Sequence, residues 1–409
     1  MELTCLFWTK VLKKKREKKS VCVCTYVHAL EKIGNFSMEV LYHTAKAQPS
    51  DANLIMSPIT VWTALAVISE GASGPTRRQI NRALRITKRN TNVTRSDFKE
   101  IAQWLLVKTN TVDLAKVNAI FVDTKRLPQI DFINIAQNYY DTKMVSLNFE
   151  DAETAAGAIN RQISNVTHGR INKIVDSSNF KQSQMILTSA LYFRGQWTIP
   201  FNASSTSRMP FFDSHGKKIG EVNMMYHRYT YGFANMRELQ ARVIELPYGK
   251  ENRLSMIIML PNPGVSLEDM FFNFKSLPLD KFFETLRLNA EEFGDDEVDC
   301  FMPRFKIEAD LDMTDILKNG MGIKDLFEEN KAALPLMART PMYVSKVIHK
   351  AEIEVTEEGT VASGVTIAEF SNRIGVIRYE VNRPFTYIIV EKVTNSIVFG
   401  GIYKTPSLY

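Results

Sequence analysis

The stretch EEGTVASGVTIAEFSNRIGVIRYEVNRPF, residues 357–385, decides how the rest of the chain is read. In an extended strand, successive side chains point to opposite faces. From Thr360 one face carries Thr360, Ala362, Gly364, Thr366 and Ala368, all small and uncharged. The other carries Val361, Ser363, Val365, Ile367 and Glu369, largely β-branched and strand-favouring until its last member. A segment of this kind can enter the middle of a sheet and bury both faces. A charge on the small face would have to be desolvated at a cost of several kcal/mol. Gly359, just before the segment, lets φ change without a Cβ clash. A plain surface loop is the competing reading, but loops of this length usually contain Asn, Asp or Pro, and 360–370 has none. Past Phe370 stands an isolated Arg373, a residue that proteases recognise.

Upstream, the apolar period changes once. Over 28–47 Leu30, Ile33, Phe36, Val40 and Leu41 recur at helical spacing, and Pro49-Ser50-Asp51 predicts the stop. Residues 53–58 read as a short strand, and 59–70 as an apolar helix closed by Gly71-Ala-Ser-Gly74. Helices are expected to about residue 180, with one strand at 117–122 among them. Beyond Met185 strand-like runs dominate, at 185–193, 229–235, 242–247, 254–260, 298–307, 376–381, 386–391 and 396–403. Helices return at 267–273, 279–289 and 312–320. With no linker, low-complexity tract or repeat, the expectation is one α+β domain over 28–409, preceded by a basic extension, 1–27.

Composition excludes several classes. With 45% hydrophobic and 23% charged residues the chain can bury a sizeable core. The net charge of +6 belongs to the N-terminus, where residues 1–20 hold seven Lys and Arg against Glu2 and Glu17. The remainder is nearly neutral, so a nucleic-acid-binding body is not expected. The basic run 13–19 precedes only a short, weakly apolar segment, which reads as a poor secretory signal, a nuclear-type cluster or a piece foreign to the fold. No run approaches the ~20 apolar residues that span a bilayer. Four cysteines are too few for a disulfide scaffold. Cys22-Val-Cys24 with His28 lacks the second ligand pair of a structural zinc site, so no metal is expected.

Catalytic signatures are missing as well. Gly71-Ala-Ser-Gly74 has the wrong spacing for a nucleophile elbow, and Gly320-Met-Gly322 lacks the third glycine of a dinucleotide loop. No HExxH, P-loop or paired CxxC occurs, and the six histidines are scattered. The chain is not expected to be an enzyme or to carry a cofactor.

Several stretches together resemble the serpin family. In order they are Asn53-Leu-Ile-Met-Ser-Pro58, Phe193-Arg-Gly-Gln-Trp197 with Pro200-Phe201, Glu245-Leu-Pro-Tyr248, 254–261 (LSMIIMLP), 302–308 (MPRFKIE), His349-Lys-Ala351, Glu357-Glu-Gly-Thr360 and Asn382-Arg-Pro-Phe385. The likeness covers roughly 30–406. It implies an α+β fold of three β-sheets with eight to nine helices and an exposed reactive-centre loop. Such a loop baits a serine protease, is cleaved, and inserts as a new strand of the central sheet, trapping the acyl-enzyme. The implied hinge is Glu357, Glu358, Gly359, Thr360, Val361, Ala362, Ser363, Gly364 and Val365, with Val365 standing where family inhibitors usually have alanine.

In the family the cleaved bond lies sixteen residues beyond the hinge glutamate and eleven before the Pro-Phe proline. Both counts give Arg373-Ile374, with Arg378 as the alternative bait. Arginine suits the buried carboxylate in the specificity pocket of a trypsin-like protease. The family's sheet-opening cluster corresponds to Ser57, Thr60, Ser189 and His349, where Ser189 replaces the usual asparagine. Gly400-Gly401 replaces a usual Gly-Arg, with little effect expected.

Asn35, Asn92, Asn165 and Asn202 each begin an Asn-X-Ser/Thr triplet. On positions expected to be exposed, they lean toward a secreted glycoprotein, an intracellular location being the alternative. Arg78, Arg82 and Arg85 fall at i, i+4 and i+7 on one helix face. They read as a solvated face or as a site for a polyanion such as heparin. The expected protein is a monomeric suicide inhibitor of a trypsin-like serine protease. Its rival is a non-inhibitory serpin, a carrier, chaperone or storage protein, or one merely cleaved as a substrate.

Overall fold

The structure, a computed structural model, describes residues 20–86, 91–105, 107–292, 296–359 and 376–409. In chain order its principal elements are α1 (Ser20–Ala47), β1 (Leu54–Met56), α2 (Pro58–Gly71), α3 (Gly74–Ala83), α4 (Thr91–Trp104), β2 (Val112–Asp123), α5 (Ile130–Tyr140), β3 (Thr142–Leu147) and α6 (Ala152–Val166). Then follow β4 (Met185–Gly195), β5 (Ser207–Phe212), β6 (Lys218–Tyr229), β7 (Gly232–Met236), β8 (Ala241–Tyr248), β9 (Leu254–Pro261), α7 (Leu267–Ser276) and α8 (Leu279–Glu292). The chain ends through β10 (Val298–Pro303), β11 (Phe305–Asp312), β12 (Lys346–Val355), β13 (Ile377–Glu380), β14 (Phe385–Glu391) and β15 (Ser396–Tyr403).

The strands form three sheets, ordered β11-β12-β4-β2-β3, β1-β15-β14-β9-β8-β7 and β13-β10-β6-β5. The first is covered on both faces, and the alternation of its strands decides which side chain goes where. Leu187, Leu191, Val347 and Ala351 join the main core with α2, every residue of which is buried. Ile186, Ala190, Ile348 and Phe121 turn the other way and pack beneath Ile159 and Ile163 of α6. A strand added to this sheet would therefore be enclosed on both sides.

Several expectations need correction. The predicted strand 298–307 is two strands in different sheets, parted at Arg304, and 229–235 likewise divides between β6 and β7. The predicted helix 312–320 is the end of β11 followed by a short π-helical turn, Ile316–Gly320. β3 and β5 lie in the supposedly helical or unassigned stretches, and β6 and β12 were also not foreseen as strands. Among the described residues the first helix spans Ser20–Ala47 and so includes the last residues of the expected extension 1–27.

The helix carrying Arg78 and Arg82 stops at Ala83. Arg85 therefore leaves that face: its φ is 59°, and its guanidinium pairs with Glu39 of α1 at 3.0 Å. Gly401 is needed, not incidental. A Cβ there would stand 2.2 Å from the Leu54 carbonyl oxygen and 2.4 Å from the Tyr387 ring, so the arginine usual in the family would not fit here. Among the described residues no helix is long and apolar enough to cross a membrane, and no His, Cys, Asp and Glu group is arranged to hold a metal.

Candidate functional site

The centre of the five-stranded sheet holds two parallel neighbours, β4 and β12. They pair from Lys346↔Ile186 to Glu352↔Tyr192, and the register stops three residues short of the end of each strand. The outer pairings, β2 with β4 and β11 with β12, are antiparallel. A parallel pair with antiparallel strands outside it leaves a gap in topology. A strand entering between β4 and β12 from the far end of β12 would be antiparallel to both, the more stable ladder per residue.

At that end the chain turns and is fastened to both strands. Thr356 and Gly359 exchange backbone hydrogen bonds at 2.9 and 3.1 Å, and Gly359 also bridges Gln196, just past β4, in antiparallel sense. The Trp197 N–H donates to the Glu358 carbonyl at 3.0 Å, the Phe201 N–H to that of Glu357 at 2.7 Å, and the Trp197 indole to that of Thr356 at 2.9 Å. Trp197 is itself fixed by stacking on Tyr248, centroids 4.3 Å apart. Gly359 has φ +116°, and a Cβ on it would lie 2.3 Å from the Gly195 carbonyl oxygen and 2.5 Å from the Trp197 nitrogen. Only glycine fits.

The Glu357 carboxylate is buried. It accepts from Thr206 Oγ1 at 2.7 Å and stands 3.6 Å from the Arg304 guanidinium. Arg304 also donates to the carbonyl of Tyr409, tying the hinge to the corner where β10 passes into β11. Trp197 and Arg304 fell inside quoted motifs yet were not expected at the site. Arg304 was legible only as a charge amid an apolar run.

Midway along the gap lies the second constellation. His349 of β12 is wholly buried, opposite Ser189 of β4. The backbone N–H of Ser57, capping α2, donates to His349 Nε2 at 2.9 Å, and Ser189 Oγ lies 2.7 Å from Nδ1. Because Nε2 accepts, the ring proton resides on Nδ1 and is donated to Ser189. Burial pushes the imidazole pKa down to about 3, so it stays neutral. Thr60 Oγ1 donates to the Ser57 carbonyl at 3.0 Å. All four residues expected in the cluster thus meet where β4, β12 and the α2 N-terminus converge.

The remaining expected residues are dispersed. Arg373, Ile374 and hinge positions 360–365 lie outside the described residues. Arg378 sits within β13, its carbonyl held by Arg242 at 2.9 Å and its guanidinium 4.4 Å from the Phe301 ring. A bond held in a ladder cannot extend into a protease cleft, which disfavours it as bait. Asn165 is exposed but its Thr167 is fully buried, Asn35 is half-buried in α1 beside a fully buried Ser37, and Asn202 is half-buried, accepting from the Ser204 N–H at 3.0 Å. The Asn92 side chain is outside the described set. Cys300 is a buried free thiol whose pKa burial raises.

Comparison with known proteins places this geometry in a family. The family model described as Serpin (serine protease inhibitor) matches residues 31–406. Human Serpin B9 is 31% identical over 384 residues, covering 91% of this chain and 98% of its own. Serpin B6 of Pongo abelii is 31% identical over 382 residues, with coverage of 91% and 98%. Among solved structures, human thyroxine-binding globulin superposes with a TM-score of 0.82 at 24% identity, over 94% of this chain and 100% of that one. That last likeness bears on the fold alone.

Proposed function

The chain belongs to the serpin family, and from that premise we propose that it is a single-use inhibitor of a trypsin-like serine protease. The protease attacks the Arg373-Ile374 bond, its serine becomes acylated by Arg373, and the released segment inserts between β4 and β12 before water can hydrolyse the ester. The tethered enzyme is dragged to the far end of the sheet and distorted.

One observation carries this reading: Gly359 is already bridged in antiparallel sense to both sides of the gap. Continuing either bridge residue by residue gives the same answer. Both bring Thr366 beside Ser189 and His349, and both bring Glu369 beside Ile186 and Lys346, where β12 begins. Thr360–Glu369 thereby matches the whole of β12, with the small face on the α2 side and the β-branched face under α6. Val365 falls beside Ala190, a small neighbour that leaves space for its second methyl group.

The rival is a carrier or other non-inhibitory serpin, a possibility raised by the fold shared with thyroxine-binding globulin. The uncharged small face supports inhibition, since a non-inhibitory chain has no need of it. Incubation with trypsin decides: an SDS-resistant, higher-mass complex is expected, and clean cleavage after Arg373 with no complex would overturn the reading. The exposed Asn165 supports a secreted glycoprotein that meets its protease outside the cell. A mass drop on treating the natural protein with peptide N-glycosidase is expected, and its absence would favour the intracellular alternative.

A further inference from the structure

Asn118 of β2 is 3% exposed, and its Oδ1 is buried with no hydrogen-bond partner. It lies directly opposite Ser189, which lies directly opposite His349, so the three side chains form one row on one face of the sheet. The Nδ1 proton of His349 goes to Ser189 Oγ. The hydroxyl proton of Ser189 is therefore still to be placed, next to a carbonyl that still needs a donor. Directly opposed residues have Cβ atoms about 5 Å apart, within reach of a side-chain rotation. A buried amide oxygen left unpaired is costly.

We propose that Asn118 is a positioning residue of the closed sheet: its Oδ1 accepts the Ser189 hydroxyl proton, which keeps the Ser189 lone pair aimed at His349. The chain of donors then runs from the Ser57 N–H through His349 and Ser189 to Asn118, clasping β12, β4 and β2 to the α2 N-terminus. The amide is supplied from the next strand, directly opposite Ser189. When the gap opens, β2 and β4 stay together, and of the bonds in this row the Ser189–His349 one breaks along with the β4–β12 ladder. Asn118 consequently sets how readily the gap opens, without touching the entering segment. This deepens the insertion reading and depends on it for its purpose.

The sign of one substitution separates the possibilities. Asn118→Leu, of similar volume, should speed the heat-driven loss of the uncleaved native state about five- to tenfold at fixed temperature. In a Ser189→Ala background, where Oδ1 has lost its donor, the same change should no longer shorten the lifetime, and adding Ser189→Asn to Asn118→Leu should restore the native lifetime. A longer or unchanged lifetime for Asn118→Leu would mean the carbonyl is truly orphaned and would overturn the proposal. An equal acceleration in both backgrounds would mean packing alone and would overturn it too. Should the leucine variant fail to fold, Asn118→Ser takes its place in the cycle. All of these read the uncleaved chain. Failure of the wild type to trap trypsin would refute the inhibitory reading and leave the cycle intact.

Discussion

At the scale of single residues, Gly359 and His349 make opposite kinds of demand. Gly359 must have no side chain, because the hinge backbone passes between the Gly195 carbonyl and the Trp197 amide at a φ that L-residues avoid. Gly359→Ala should lower the stability of the uncleaved protein by at least about 1–3 kcal/mol, seen as a lower unfolding midpoint, with the hinge as the first segment to gain hydrogen exchange. His349 must remain neutral. Its folded pKa of about 3 lies below the ordinary 6.5 because burial disfavours the cation. Between those values the unfolded chain takes up a proton that the native ring refuses. Its contribution is whole above pH 6.5 and is lost as pH falls toward 3. Unfolding midpoints from pH 7 to pH 4 should therefore drop more steeply for the wild type than for His349→Gln, a difference of about 3 kcal/mol by pH 4. Equal slopes would show that the ring is solvated in the native state.

Among elements, those buried on both faces were the ones the sequence disclosed. β4, β9, β14 and β15 are almost wholly buried, and their largely apolar runs of strand length read as central strands. β3 and β5 lie at sheet edges with polar or proline-bearing sequences, so the hydrophobic signal fades there. β12 does alternate, but the face that holds Ile348 otherwise carries Lys346, Lys350, Glu352 and Glu354, which weakens its apolar signal. What no local pattern contained was partnership: Arg304 divides one apolar run between two sheets, and that corner is what anchors Glu357. The cluster around His349 was legible through resemblance, while Asn118 was not, because its meaning depends on which strand lies beside β4. The inserting segment is where elements and function coincide. Thr360→Arg puts an unpaired cation on the face that must enter against the α2 side. Trapping should fall to undetectable while cleavage after Arg373 continues, checked by complex yield on SDS gels; unchanged yield would remove this hinge from the mechanism. Arg373→Ala should abolish complex formation with trypsin-like enzymes, and inhibition that survived it would move the bait elsewhere.

For the molecule as a whole, the proposed insertion between β4 and β12 requires that the uncleaved fold is not the most stable one available to its covalent structure. The parallel pair spans seven residues on each strand. A ten-residue strand placed between them would replace that ladder with two antiparallel ones and bring its own polar backbone out of water. At ~0.5–1.5 kcal/mol net for each added hydrogen bond, the gain is on the order of 10 kcal/mol. While the loop is intact, its far end is fixed by β13, which pairs in parallel with β10 in another sheet, so full entry is prevented by the chain's own continuity. A single nick removes that constraint without altering one side chain. Cleavage after Arg373 should therefore raise the unfolding midpoint of the isolated protein by more than 15 °C, since ~1 kcal/mol is worth about 2 °C in a chain larger than 250 residues. Scanning calorimetry of intact and nicked samples provides the measurement. A nicked chain that melts where the intact one does would mean that the gap stays shut, and that the protein meets its protease as a substrate.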